Sequence, residues 1–337
     1  MIVSRRLSRT AILAALGILV LALILIAGLR PIGFDRDSLQ YLQMYNNFSN
    51  FADADYLTTE PTFLIISYIS KTMSIYGFRT LLFIYATIGI ILNVVAIKKM
   101  TTAPFLALMC FVLLFFPLHT MTQIRVGVAC ALFLLSIPDL ADGKKTGFFL
   151  KAGIAVFFHY SALLLFLTYF IDPESLKEKF YLALPIIGLI FSSFHEFLLA
   201  KLNVVVSLLP VVFAYKIQMY LTVLQNDDSS AINLFSISYL GMLAVYYFAV
   251  LNIKKFNGEF DIILIKLLGW SIFIYYSMSF LPVIAVRVSE IFSVVMIIIL
   301  PSAALKFKEK SFSMFLTYVF ICIVFVNNVF VHSLFNF

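Results

Sequence analysis

Two arginines lie where apolar runs of this chain end and begin. Arg125 closes the polar stretch His119-Thr-Met-Thr-Gln-Ile-Arg125, and Arg287 lies in the turn from Pro282 to Glu290. A guanidinium offers a planar fork of donors that fits phosphate oxygens in a bidentate way. Two such groups facing one cavity would suit a pyrophosphate. The alternative is a pair of structural salt bridges, for example Arg287 with Glu290 one turn along the same helix.

His159 lies deep inside the apolar run 148–170. An imidazole in mid-membrane is costly unless it faces a polar cavity or has a partner. It could carry a proton, or donate a hydrogen bond to a sugar or phosphate. Equally, it could bond across helices and hold the bundle together. His119, at the end of its run, is expected to be more exposed and gives weaker evidence.

Several carboxylates follow or precede apolar runs and could act on sugars. Glu60 stands directly before a proline that opens an apolar stretch, and Asp35 and Asp37 follow the first apolar run. Any of the three could act as a general base on a sugar hydroxyl or as a hydrogen-bond anchor. The alternative is a solvated loop charge, which is the preferred interpretation for Asp53 and Asp55.

Other polar and aromatic residues near these positions are candidates for sugar binding. Tyr41 could stack on a sugar ring, although tyrosines at a membrane interface need no special role. The full set of candidate sugar-binding residues is Asp37, Tyr41, His119, Gln123 and Glu290.

Motifs for nucleotide, metal or serine chemistry are missing from the sequence. It has no P-loop, GxGxxG, HExxH, GxSxG or paired CxxC pattern. Two acidic Asp-x-Asp pairs occur, at 35–37 and 53–55, and both can arise by chance in an acidic loop. We therefore expect no nucleotide-sugar donor, no obligatory metal and no cofactor. Cys110, Cys130 and Cys322 lie inside apolar runs, which predicts neither disulfides nor zinc.

The elements that must position these residues are membrane helices. Hydrophobic residues make up 63% of the chain, charged residues 12%, and mean hydropathy is +1.04. Soluble domains have about 45–50% apolar and about 25% charged residues. Apolar runs long enough for a spanning helix of about 20 residues recur along the chain, whereas the alternating segments of a barrel are absent. The sequence predicts an all-α polytopic transmembrane bundle.

Eleven apolar runs are candidate spans, and a twelfth, 61–76, is shorter and interrupted by Lys71. The run 11–29 is too long for the apolar region of a signal peptide, so we interpret it as a retained first helix. Residues 1–337 form a single membrane domain on this interpretation. The eleven candidate spans are 11–29, 79–97, 103–119, 124–138, 148–170, 181–199, 203–222, 232–252, 261–281, 288–305 and 312–333.

Basic clusters predict which loops face the cytoplasm. These clusters are Arg5/Arg6/Arg9, Lys98/Lys99, Lys144/Lys145, Lys254/Lys255 and Lys306/Lys308/Lys310. All five clusters can face the cytoplasm only if residues 31–97 cross the membrane an odd number of times. The simplest solution makes 61–76 a re-entrant or interfacial helix within an outer segment, 31–78. The rival solution makes it a full span and reverses one cluster. The net charge of +7 thus serves orientation, and nucleic acid is not expected as a partner.

Four short motifs in this order resemble the EpsG/Wzy group of bacterial polysaccharide polymerases. They are Asp35-x-Asp37…Tyr41, Glu60-Pro61-Thr-Phe63, Gln123-Ile-Arg125 and Phe158-His159-Tyr-Ser161-Ala162. The resemblance covers residues 30–170 and continues more weakly, with Arg287, to the C-terminus. One departure is that Val126 follows Arg125, where the family often has glutamine.

The resemblance implies a GT-C-like bundle of about 11–12 membrane segments that polymerises oligosaccharide repeat units carried on undecaprenyl pyrophosphate. This would occur at the periplasmic face of a bacterial inner membrane, without a cofactor. It implies that Arg125 and Arg287 bind the pyrophosphate. It also implies active-site roles for His159 and Glu60, with Glu60 ahead of Asp35 as the base. Implied partners are lipid-linked oligosaccharides and membrane lipids, with a chain-length regulator and a flippase as further candidates.

Three alternatives to a polymerase stay open from the residues alone. An O-antigen ligase would use the same donor, but would be expected to have a larger late outer loop than 223–231. A transporter of the lipid-linked unit would be expected to line a path through both leaflets with polar residues. A purely structural membrane scaffold is the third.

Overall fold

A computed structural model describes residues 9–52, 55, 58–73, 76–209, 211–226, 232–331 and 333–336. Arg5, Arg6 and Asp53 lie outside the described residues, as does most of the loop 223–231. Within the described residues the chain is almost entirely helical, and its extended pairing is a single bridge between Asp35 and Phe335. The prediction of an all-α polytopic bundle is confirmed.

The α-helices in chain order are α1 (Arg9–Leu29), α2 (Ser38–Asn47), α3 (Pro61–Met73), α4 (Phe78–Met100), α5 (Pro104–Cys110), α6 (Ile124–Ala141), α7 (Lys145–Phe158), α8 (Glu178–Ser192), α9 (His195–Ser207), α10 (Val211–Asn226), α11 (Ile237–Leu251), α12 (Asp261–Ser277), α13 (Pro282–Ser293), α14 (Met296–Lys306) and α15 (Lys310–Val326). Two π-helices, Phe111–Thr122 and Asn327–Val331, continue α5 and α15. Two 3₁₀ segments, Tyr160–Phe170 and Ile253–Lys255, follow α7 and α11.

The helices pack in two neighbouring groups. In the first, α6 is central and contacts α4, α7 and the π-helix 111–122, while α1 packs on α4. In the second, α12 contacts α8, α11 and α13. Contacts of α6 with α13, and of α14 with α5, join the groups. Helices α6 and α13 therefore meet at the junction, and they carry Arg125, Arg287 and Glu290.

Four described helices are long and apolar enough to cross a membrane: 78–100, 104–122, 124–141 and 310–331. Two bent pairs bring this to six if each pair is one span: 178–192 with 195–201, bent by 76°, and 282–293 with 296–306, bent by 55°. Several of the other predicted spans contain shorter apolar helices, such as Ile237–Leu251. Hydropathy therefore located the apolar segments but did not show where their helices break.

Four of the predicted spans, 148–170, 181–199, 203–222 and 288–305, are interrupted, so their prediction as continuous helices was wrong. Run 203–222 contains the end of α9 and most of α10; Pro210 lies between them in the sequence, and proline is unfavourable inside a helix. Run 148–170 is broken at His159, whose backbone is extended at φ −155° and ψ 121°. A carbonyl near this break, that of Phe157, accepts a hydrogen bond of 2.7 Å from the Thr62 hydroxyl. Non-helical backbone at membrane depth needs such partners.

Helix α3 corresponds to the predicted re-entrant or interfacial segment. Its 13 residues rise only ~20 Å at ~1.5 Å per residue, less than the ~30 Å of a hydrocarbon core. Lys71, in its last turn, donates to the Phe48 carbonyl and lies 4.8 Å from the centre of the Tyr45 ring. The short length favours re-entry over a full span.

Candidate active site

Arg125 lies in the first turn of α6, directly after a break in the chain. The π-helix ends at Thr122, Gln123 has φ −88° and ψ 61°, and α6 begins at Ile124. The two helices approach so closely that a Cβ on Gly127 would lie 1.8 Å from the His119 carbonyl oxygen. Only glycine fits there. This close approach fixes the position of the Arg125 turn.

Glu60 is the fully buried centre of a largely buried polar cluster. Its carboxylate accepts a hydrogen bond from Arg125 Nη1 through Oε2, and its Oε1 lies 3.1 Å from His159 Nδ1. Side-chain exposure is 0% for Glu60, 14% for Arg125 and 7% for His159. Residues 65 and 99 positions from Glu60 in the sequence thus meet at one carboxylate. We call Glu60, Arg125 and His159 the Glu60 cluster.

The break after α7 lets His159 reach Glu60. Because the backbone leaves the helix at His159, its ring points toward the start of α3 rather than along α7. Besides the Thr62 bond to the Phe157 carbonyl, the Tyr160 hydroxyl donates to the Thr59 carbonyl at 3.4 Å. These two bonds hold the segment around Glu60 against the break.

Aromatic rings enclose the guanidinium of Arg125. Its central carbon lies 5.2 Å from the centre of the Tyr41 ring and 5.6 Å from that of Phe63, both within cation–π range. Tyr41 and Phe63 contact each other with centres 5.9 Å apart. The predicted sugar-binding residue Tyr41 therefore faces Arg125 in this structure.

Arg125 retains donor capacity after its bond to Glu60. Its Nε is buried and has no hydrogen-bond partner among the described residues. A buried donor without a partner costs about 1–3 kcal/mol, so it is an expected position for a ligand acceptor atom. Arg125 also lies at the N-terminus of α6, where the helix dipole and free N–H groups favour an anion.

The positive charges of Arg287 and Arg125 both lie within electrostatic range of the Asp37 carboxyl group. Burial raises the pKa of Asp37, and the charge of Arg287, followed by that of Arg125, acts in the opposite direction. Asp37 belongs to the loop before α2, so this loop lies within electrostatic range of both arginines. The structure thus brings the two predicted pyrophosphate-binding residues near one loop.

Glu290 lies on α13, one turn after Arg287. It interacts with the Gln123 side chain and with the charges of Arg287 and Asp37. Its Oε2 is buried and has no hydrogen-bond partner among the described residues. Glu290 and Gln123, both predicted to bind sugar, are therefore neighbours at the start of α6.

Asp35 is engaged in holding its own loop. It forms a buried ion pair with Arg30 at 2.8 Å and accepts backbone N–H bonds from Asp37 and Ser38 at 3.1 and 2.9 Å. These bonds order the loop that leads into α2. Both carboxylate oxygens of Asp35 are therefore engaged within its own loop.

The C-terminal segment braces the same loop. The Asn336 N–H donates to the Phe34 carbonyl at 2.7 Å, and its side-chain amide donates to the Gly33 carbonyl at 2.9 Å. Phe34 and Phe335 stack with ring centres 4.7 Å apart. The loop that carries Asp37 is thus held from both sides.

The expectation that His119 is exposed was wrong. Its residue exposure is 3%, and its ring lies 5.3 Å from that of Phe115. The reason is the tight contact at Gly127, which places α6 against the end of the π-helix. Its Nε2 has no hydrogen-bond partner among the described residues.

Sequence reasoning missed Arg30, which holds Asp35, and Thr62, which bonds to the Phe157 carbonyl. A signal for Arg30 was present, because an arginine at the predicted outer end of the first span breaks the positive-inside tendency as Arg125 does. Thr62 carried no comparable signal. Among the described residues, no group of three or more His, Cys, Asp and Glu side chains is placed to hold a metal ion.

Comparison with known proteins gives one match. A family model, the EpsG family, matches residues 13–337. No curated protein and no solved structure matches this chain.

Proposed function

The chain belongs to the EpsG family, the family of Wzy-type polysaccharide polymerases, and from this premise we propose that it joins lipid-linked oligosaccharide repeat units. In this proposal the donor is a growing glycan on a polyprenyl pyrophosphate such as undecaprenyl pyrophosphate. The acceptor is the terminal sugar hydroxyl of a second lipid-linked unit. The reaction takes place at the periplasmic face of the bacterial inner membrane.

One observation carries the proposal: Arg125 is held by Glu60, with His159 beside it, and its buried Nε has no hydrogen-bond partner in the part of the chain that the structure describes. The ion pair fixes the guanidinium in place before substrate arrives. The unpaired Nε then offers a donor for a phosphate oxygen. Fixed donors of this kind stabilise charge that develops in the transition state without reorganising during the reaction.

The chemistry requires stabilisation of a leaving group. As the bond between the anomeric carbon and the pyrophosphate oxygen breaks, negative charge develops on the lipid pyrophosphate. We propose that Arg125 binds the pyrophosphate together with Arg287. The charges of both arginines lie within range of Asp37. Two guanidinium groups supply the positive charge that a metal ion supplies in many phosphoryl-group sites.

The other residues have supporting roles in the proposal. Glu60 orients Arg125, and His159 donates to Glu60 or to a phosphate oxygen once substrate is bound. Tyr41, which already faces Arg125, is placed to stack on a sugar of the donor. Membrane lipids deliver both substrates, and a flippase and a chain-length regulator are proposed partners.

A lysine substitution tests the role of the Arg125 fork. In a host strain lacking the chromosomal gene, we expect the wild-type gene to restore a ladder of glycan lengths on a gel. Arg125→Lys keeps the charge but cannot bind phosphate in a bidentate way. We expect it to leave single repeat units and to lower polymer yield at least about 100-fold, the typical effect of losing one fixed donor.

Arg79→Lys is the matched control. Arg79 lies in the first turn of α4 and donates to two backbone carbonyls, those of Leu29 at 3.1 Å and Arg30 at 3.4 Å, rather than to the Glu60 cluster. We expect this variant to give the wild-type ladder at wild-type abundance in the membrane. A full ladder from Arg125→Lys would overturn the proposed role. Accumulation of flipped single units without polymer, in a strain carrying the wild-type gene, would instead indicate a transporter.

A further inference from the structure

A cavity of about 410 Å³ is bounded by the π-helix 111–122, α11, α13 and α15, and Glu290 lies in its wall. Its volume is within the range of about 300–1,000 Å³ that small-molecule sites occupy. One part of its wall is apolar and includes Leu113, Phe115 and Phe320. Another part is polar, so the cavity can hold a molecule with both kinds of surface.

The polar part of the cavity wall is built from side chains fixed by their own contacts. The Tyr275 hydroxyl donates to the Asn233 carbonyl at 2.8 Å, and the Tyr239 hydroxyl bonds to that of Ser289. The rings of Tyr239 and Tyr275 stack against each other. Residues with a fixed conformation lose little entropy when a ligand binds.

Glu290 contributes the carboxylate of this wall. It lines the cavity, and its Oε2 is buried without a hydrogen-bond partner among the described residues. Burying a polar oxygen without a partner is costly unless a ligand or solvent supplies one. Gln123, two residues before Arg125 in the chain, interacts with the same carboxyl group. The cavity therefore adjoins the proposed donor site.

Glu60 is in the opposite situation. Both of its oxygens face cationic or protonatable partners, Oε2 with Arg125 and Oε1 with His159. A carboxylate held in this way is poorly suited to take a proton, because protonation would leave the Arg125 charge buried without compensation. On α13, Glu290 interacts with Gln123 and lies within range of the charges of Arg287 and Asp37, but its Oε2 has no hydrogen-bond partner among the described residues and can accept a proton.

We propose that the cavity is the acceptor-sugar site and that Glu290, rather than Glu60, is the general base. This inference rests on the proposed function. The acceptor hydroxyl oxygen forms a bond to the anomeric carbon of the donor, while the bond from that carbon to the pyrophosphate oxygen breaks. The lipid pyrophosphate leaves with the electron pair of the broken bond. The hydroxyl proton passes to Glu290 Oε2.

The first test uses purified protein in liposomes with lipid-linked repeat units extracted from the gene-deletion strain. General-base catalysis contributes about 10²–10⁴-fold, so we expect Glu290→Gln to lower kcat at least about 100-fold. The KM for the lipid-linked unit should change less than about threefold. Glu174→Gln, an exposed loop substitution, is the control and should leave both constants unchanged.

A pH profile separates a base from a structural residue. In the wild type, the rate should fall on the acid side as the base becomes protonated. This fall should persist in Glu60→Gln, even with a lower maximum rate, and should be absent from the residual activity of Glu290→Gln. A fall that persists in Glu290→Gln and disappears in Glu60→Gln would overturn the inference. If wild-type protein forms no polymer, the proposed function itself fails.

A second measurement needs no variant. Dicyclohexylcarbodiimide is an apolar reagent that converts membrane-buried carboxyl groups outside ion pairs to N-acylureas. We expect mass spectrometry of the treated wild-type protein to place the adduct on Glu290, with loss of polymerisation in proportion. Glu60 should stay unmodified. A protein without an adduct on Glu290 would contradict the proposal.

Discussion

Glu60 and Glu290 both lie near the start of α6, and both have buried carboxylate oxygens, but their surroundings differ. Glu60 is ion-paired to Arg125 and contacts His159, whereas Oε2 of Glu290 faces a cavity without a partner among the described residues. Two acidic residues of one site can therefore have separate roles. In our proposal, Glu60 fixes a guanidinium for the leaving group, and Glu290 accepts a proton on the oxygen that has no hydrogen-bond partner among the described residues.

Removing Arg125 should have the largest effect, because it leaves Glu60 buried without its cation. Breaking a buried pair on one side costs about 3–5 kcal/mol. We expect Arg125→Ala to lower thermal stability in detergent strongly and to abolish polymer formation. The double variant Glu60→Gln with Arg125→Gln should recover most of the stability and none of the activity. Recovery of polymer by the double variant would show that the pair is only structural.

Neutralising each carboxylate in turn tests the comparison itself. Glu60→Gln leaves Arg125 uncompensated, so we expect a loss of several kcal/mol in the free energy of unfolding. Glu290→Gln removes a carboxylate that has an unpaired oxygen, so stability should stay within about 1 kcal/mol of wild type. Thermal unfolding of both purified variants measures the difference. Equal losses would mean that Gln123 and Arg287 hold Glu290 as firmly as Arg125 holds Glu60.

Gly127 sets the distance between α6 and the π-helix before it. A methyl group there would lie 1.8 Å from the His119 carbonyl oxygen, and overpacking of this kind costs about 1–3 kcal/mol. We expect Gly127→Ala to lower stability by that amount and to reduce polymer yield by displacing Arg125. Gly89→Ala is the matched control, since its nearest neighbour is the Val128 Cγ2 at 3.7 Å, an ordinary contact. A neutral Gly127→Ala would contradict the tight approach.

The smallest effect is expected at the break that positions His159. Thr62→Val removes the hydrogen bond to the Phe157 carbonyl, which should cost about 1 kcal/mol. Thr72→Val, on the same helix, removes bonds of 2.9 and 3.3 Å to the Tyr68 and Ile69 carbonyls, both within its own turn, and serves as control. We expect stability and activity to fall in Thr62→Val alone. Matching behaviour of the two variants would argue against a role for this bond at the break.

Hydropathy was sufficient to predict the membrane class. Polar residues are costly in lipid, so the spans consist mainly of apolar residues. Hydropathy was insufficient for the helix breaks. Phe157-Phe158-His159-Tyr160 contains neither glycine nor proline, so its pattern is that of a continuous span. The break there accompanies contacts with the segment around Glu60, about 100 residues earlier.

The candidate residues were predictable by type but their pairing was not. Arginines on the predicted outer face and a histidine in mid-span are exceptions to general rules, and these exceptions identified Arg125, Arg287 and His159. The ion pair between Glu60 and Arg125 depends on how α3 packs against α6 and α7. A one-dimensional pattern does not contain that tertiary geometry.

The polymerase proposal is tested most directly by measuring both products of the proposed reaction. Purified wild-type protein in liposomes would receive lipid-linked repeat units with a radioactive phosphate in the pyrophosphate. We expect a ladder of glycan lengths, with one lipid pyrophosphate released for each new glycosidic linkage. Failure to form a ladder, or a ladder without release of lipid pyrophosphate, would contradict it.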